Sequence, residues 1–104
     1  MAKFVKVAEV DEIPPGERIV IEEDGIFIAI FNVGGTLYAI EDVCTHDDGP
    51  LAEGELHGYE IECPRHGARF DIRTGKVLSF PAVVDVPWFE VKVEDGDVLV
   101  DIEE

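Results

Sequence analysis

Glutamine is absent from this chain, asparagine occurs once, at Asn32, and cysteine only twice, at Cys44 and Cys63. Basic residues are scarce: 8 Lys and Arg stand against 24 Asp and Glu, a formal net charge of −16. Such a surface repels nucleic acid and anionic membranes, because binding either one depends on Lys and Arg neutralising phosphates. No apolar run approaches the ~20 residues of a membrane span. The opening Met1-Ala2-Lys3-Phe4-Val5-Lys6 is not followed by the apolar core of a signal peptide. The expectation is a cytoplasmic protein with no nucleic-acid or membrane partner. The acidity would steer it toward basic patches on other proteins.

At 104 residues the chain is read as one domain, 1–104, long enough to bury roughly two thirds of its unfolded surface. Helical periodicity is missing beyond one or two turns, and the pattern is β throughout. Strands are predicted over Phe4–Ala8, Arg18–Glu22, Ile26–Phe31, Thr36–Ile40, Trp88–Val93 and Val98–Ile102. Between them lie turn signals at Pro14-Pro15-Gly16, Asp24-Gly25, Gly34-Gly35 and Asp95-Gly96. Short strands at this spacing predict an all-β sandwich or barrel. The middle, from Val43 to Phe80, is denser in Gly, Pro and His. Only short strands fit there, around Tyr59–Glu62, Arg69–Ile72 and Val77–Phe80, so it reads as a loop-rich insertion in a β base.

That insertion holds the chemistry. Cys44-Thr45-His46 and Cys63-Pro64-Arg65-His66-Gly67 contain both cysteines and two of the three histidines, with sixteen residues between His46 and Cys63. Each stretch offers one soft thiolate and one imidazole, which suits a site with two chemically distinct metal ions. A disulfide between the cysteines is the alternative, but a histidine two or three residues after each favours metal ligation in a reducing compartment. Structural zinc is the chemical rival, although zinc sites commonly pair like ligands within each arm. A Cys63–His66 catalytic dyad lacks an orienting partner at any recognisable spacing. His57, in Glu55-Leu56-His57-Gly58, has no ligand spacing and is expected on the surface.

The pattern Cys-x-His, sixteen residues, Cys-x-x-His resembles that of Rieske-type ferredoxins, and the likeness runs over essentially the full length. It implies an antiparallel β-sandwich base with a small cluster-binding subdomain, here residues 43–80, and one [2Fe–2S] Rieske cluster as cofactor. Cys44 and Cys63 would hold the inner iron, and His46 and His66 the outer one. Two ferric ions, two sulfides and two thiolates sum to zero charge, so an added electron meets less repulsion than on a four-thiolate cluster. Rieske potentials accordingly span about −150 to +300 mV. High-potential members carry a Ser two residues and a Tyr four residues after the second ligand His, where this chain has Ala68 and Phe70. They also join their ligand loops by a disulfide, for which this chain has no second cysteine pair. Both departures place it at the low end.

Gly67 would let the second loop turn sharply, and Pro64 would stiffen it. Leu51 and Pro81 are candidate apolar covers for the inner iron. The resemblance implies an electron carrier and not an enzyme, a ferredoxin between an NAD(P)H-dependent flavoprotein reductase and the terminal oxygenase of an aromatic-ring dioxygenase system. A Rieske-like small subunit of an assimilatory nitrite reductase is the second reading. The partner would meet the tip around Thr45–Pro50 and Pro64–Gly67, with Asp47 and Asp48 facing basic groups.

Overall fold

Ten short strands, numbered in chain order, form three antiparallel sheets in the computed structural model, which describes residues 3–45 and 49–103. The first sheet has the order β1-β10-β9, with β1 Phe4–Glu9, β9 Val91–Glu94 and β10 Asp97–Asp101. The second is β2-β3-β4-β8, built from Arg18–Glu23, Ile26–Val33, Thr36–Glu41 and Trp88–Phe89. The third, β5-β6-β7, comprises Leu56–His57, Glu60–Glu62 and Arg69–Asp71. Among the described residues the only helical element is a 3-10 turn at Val10–Glu12.

Two-residue turns make three of these pairings possible. Asp24-Gly25, Gly34-Gly35 and Asp95-Gly96 all have positive φ at both positions, the geometry whose twist matches that of the flanking strands. Registry follows directly, with Glu23 opposite Ile26, Val33 opposite Thr36, and Glu94 opposite Asp97.

The central sheet separates two cores, and the alternation of β3 assigns residues to each. Ile28 and Ile30 face a core with Ala39, Phe89, Val98 and Val100 from the first sheet's side. Ala29 and Phe31 face the other way, into a core with Ile40, Ile61, Phe70 and both cysteines. Successive side chains on a strand point to opposite faces, so a strand buried on both sides reads as an unbroken apolar run. That is the reason Ile26–Phe31 has no polar alternation. In the third sheet, Leu56, Ile61 and Phe70 stand opposite one another in register, presenting a row of apolar side chains to the same core. Each such side chain, once buried, contributes roughly 1.5–3 kcal/mol.

Three local expectations change. The run Trp88–Val93 is not one strand: β8 pairs with β4, the chain breaks at Glu90, and β9 pairs with β10. One segment thus passes from the central sheet to the first, which uninterrupted period-2 alternation cannot reveal. Val77–Phe80 forms no strand, only a bridge from Val77 to Phe70. Leu56–His57 pairs with β6, because Gly58-Tyr59 closes a hairpin with Gly58 at φ +65°.

Asn32, in β3, is the one buried polar residue among the described residues, and it binds neighbouring segments together. Its amide donates to the Ile13 carbonyl at 2.7 Å and accepts from the Gly35 N–H at 2.8 Å. A buried amide is tolerated only when so satisfied.

Candidate metal centre

The first Cys/His stretch begins in the connection from β4 of the central sheet to β5 of the third, and the second lies within the third sheet. The second is the tip of the β6–β7 hairpin, closed where Glu62 pairs with Arg69. Within it the Cys63 N–H donates to the Ala68 carbonyl at 2.7 Å, and the Gly67 N–H to the Cys63 carbonyl at 3.0 Å. Gly67 has φ +78°, so this tight return needs a residue at ease in left-handed backbone. The first stretch follows β4, and its Cys44 N–H donates to the Gly49 carbonyl at 2.6 Å.

Cys44 and Cys63 are both buried, 0% and 1% exposed, and share one apolar core with Leu51, Ala68 and Phe70. Neither is in a disulfide. His66 lies on the exposed outer side of its hairpin. His46, Asp47 and Asp48 lie outside the described residues. Among the described residues no three His, Cys, Asp or Glu side chains converge as a site for a single metal ion. A two-iron cluster makes no such demand, since each iron takes only two protein ligands. Buried sulfur within and exposed imidazole without is a donor set with two distinct ends, as the sequence pattern requires.

The scaffold around the loops comes largely from residues that the sequence pattern did not flag. Asp42 Oδ1 accepts the backbone N–H groups of both Leu51 and Ala52, each at 2.7 Å. From β2, Arg18 Nη1 donates to the carbonyls of Ala52 at 2.9 Å and Gly54 at 2.7 Å. Its guanidinium lies over the Phe31 ring, 5.3 Å from the centroid. Thr45 Oγ1 donates to the Val84 carbonyl at 2.6 Å, tying the later segment 75–86 onto the first stretch. Asp42 reaches nine and ten residues on, beyond the span of a local side-chain turn, and Arg18 reaches over 34, so neither contact has a local signal in the sequence.

Leu51 is fully buried in the cysteine-containing core, whereas Pro81 is half-buried and follows a cis peptide bond from Phe80. His57 is half-exposed and sits on Glu62, with Nε2 3.0 Å from Oε1. Arg69 donates to the same Glu62 oxygen at 3.2 Å, so Glu62 anchors the back of the hairpin. In the segment that Thr45 holds, Phe80, Val83 and Val84 are exposed, Phe80 at 81%.

Residues 3–90 match the family model described as the Rieske [2Fe-2S] domain. The biphenyl dioxygenase ferredoxin subunit of Pseudomonas sp. (strain KKS102) is 43% identical over 99 residues, covering 94% of this chain and 91% of that protein. Among solved structures, the ferredoxin of carbazole 1,9a-dioxygenase from Nocardioides aromaticivorans IC177 superposes with a TM-score of 0.91 at 35% identity, covering 97% of this chain and 99% of that one. A chain in the complex of reduced oxygenase and oxidized ferredoxin in carbazole 1,9a-dioxygenase gives a TM-score of 0.89 at 39% identity, covering 97% of this chain and 94% of that one. A full-length match in sequence and in fold, together with paired buried thiols on two adjoining loops, places this chain in the Rieske [2Fe-2S] family, whose cofactor is a single Rieske cluster.

Proposed function

We propose that this protein is the ferredoxin of an aromatic-ring dioxygenase system, passing single electrons from an NAD(P)H-dependent flavoprotein reductase to a terminal oxygenase in the cytoplasm. The relatives that carry dioxygenase ferredoxin names support this reading, and the complex named for oxygenase and ferredoxin supports the oxygenase as partner. No helix among the described residues is long and apolar enough to cross a membrane.

Within the single domain 1–104, residues 43–80 are the cluster-binding unit. Cys44 and Cys63 would hold one iron of the cluster through sulfur, and His46 and His66 the other through imidazole. The observation that carries this assignment is the burial of both cysteine side chains in one core, outside any disulfide, while His66 stays exposed. When bound, the cluster supplies one-electron redox chemistry. Leu51, Ala68 and Phe70 keep water from the sulfur end, and the His66 imidazole presents the exposed edge that a partner covers. Asp42 and Arg18 fix the first loop so that its ligands stay in place. Preset ligands require little rearrangement when charge changes, which a carrier needs in both oxidation states.

Iron and acid-labile sulfide analysis, with visible and EPR spectra of the reduced protein, tests the assignment. Two irons, two sulfides and one electron taken up per chain are expected. Cys44→Ser, Cys63→Ser, His46→Ala and His66→Ala should each abolish assembly. Stoichiometric zinc without sulfide in the wild-type protein would refute it.

A further inference from the structure

Arg65 lies between the two ligand loops. Its Nη1 donates to the Pro50 carbonyl of the first loop at 3.0 Å. Its Nη2 lies 3.4 Å from the Cys63 sulfur of its own loop. The first loop makes room for it: a Cβ on Gly49 would fall on the guanidinium. The missing side chain of Gly49 therefore leaves the space that the guanidinium fills. With no disulfide in the chain, Arg65 spans the gap between the loops. Arginine is suited to this because its planar fork donates from two nitrogens at once and stays charged at every accessible pH.

We propose that Arg65 is a positioning residue for the cluster, clasping the two ligand loops together and raising the reduction potential by donating to the Cys63 sulfur. The proposal rests on the ligand assignment above. An added electron increases negative charge on the ligand sulfurs, and a donor or cation beside one of them favours the reduced state. The sulfur is 1% exposed on a residue basis, so water competes little for that contact. Arg65 thereby offsets part of the loss of hydroxyl donors at Ala68 and Phe70.

The test uses the cluster-loaded protein and two readouts other than electron delivery. One is midpoint potential by protein-film voltammetry, the other the rate of iron release to a chelator. Arg65→Gln should lower the potential and speed iron release about tenfold, the loss expected for one hydrogen bond to a charged group. Arg65→Lys keeps the charge without the fork, so its potential should fall less while release still accelerates. Gly49→Ala leaves Arg65 in the sequence but displaces it, and should reproduce the direction of both changes. It decides the question should Arg65→Gln fail to load. A potential in Gly49→Ala or Arg65→Gln at or above that of the wild type overturns the tuning role. Unchanged iron release in both overturns the clasp. Wild-type protein lacking iron and sulfide would instead mean that the ligand assignment itself is wrong.

Discussion

The Asp42 carboxylate accepts the backbone N–H of Leu51 at 2.7 Å, closing the base of the first ligand loop over nine residues. The same oxygen takes the Ala52 N–H, so two backbone donors depend on one side chain. Asp42→Ala strands both, at about 1–3 kcal/mol for each donor left without a partner. For a domain of this size that is a fall in Tm of roughly 8 °C or more. Asp42→Asn retains an acceptor oxygen and should lose less than half as much. Thermal melts of the two variants, with iron content per chain, check this; equal melts for both would show that the carboxylate is not the anchor.

Phe70 and Ala68 bear on the potential. Both are fully buried in the core that holds the two cysteines, so a hydroxyl added at either meets little water and has to find its partner within that core. Phe70→Tyr and Ala68→Ser should each raise the midpoint potential. A hydroxyl that misses the sulfur stays unsatisfied and lowers stability by about 1–3 kcal/mol without moving the potential, so melting and voltammetry together separate the cases. A wild-type potential well above zero at neutral pH would contradict the placement at the low end of the Rieske range.

Asp71 gives the fold an acid-sensitive contact. Its side chain accepts from Arg73 Nε at 3.1 Å and Nη2 at 2.9 Å, and Arg73 lies over the Tyr59 ring at 4.2 Å. The hydrogen bond from Arg73 holds the Asp71 carboxyl below its ordinary range. A carboxylate with a depressed folded pKa contributes stability that is complete above its unfolded value and is lost as pH falls through the folded one. Asp71→Asn should therefore flatten part of the acid limb of a urea-midpoint profile below about pH 4. An unaltered acid limb would place the sensitivity elsewhere.

Electron delivery should depend on salt. With 24 acidic residues against 8 basic, encounter with a basic partner surface is steered over distances that screening cuts to about 8 Å at physiological ionic strength. Rising salt should slow reduction by the cognate reductase in stopped-flow measurements. Asp47→Lys should slow it at low salt while leaving the visible spectrum unchanged, because rim charges act mainly on association rate. A rate indifferent to both would remove electrostatic docking and leave the cluster assignment standing.

The all-β class and the main turns were legible in the chain, and the four ligand candidates were read from it, because each rests on short-range chemistry. Asp24-Gly25 and Asp95-Gly96 favour left-handed backbone wherever they occur, and thiolate with imidazole at two or three residues' spacing brings metal donors together within one loop. Tertiary structure alone decided which core each residue of β3 enters, since Ile30 and Phe31 are equally apolar yet face opposite sheets. It also broke Trp88–Val93 into strands of two sheets at Glu90 and made Leu56–His57 a strand. The polar framework of the loops was decided the same way. Arg18 acts on residues more than thirty positions away, and Arg65 on a different loop. Such contacts depend on which backbones the packing of the sheets brings within hydrogen-bond reach, a relation with no local pattern in the chain.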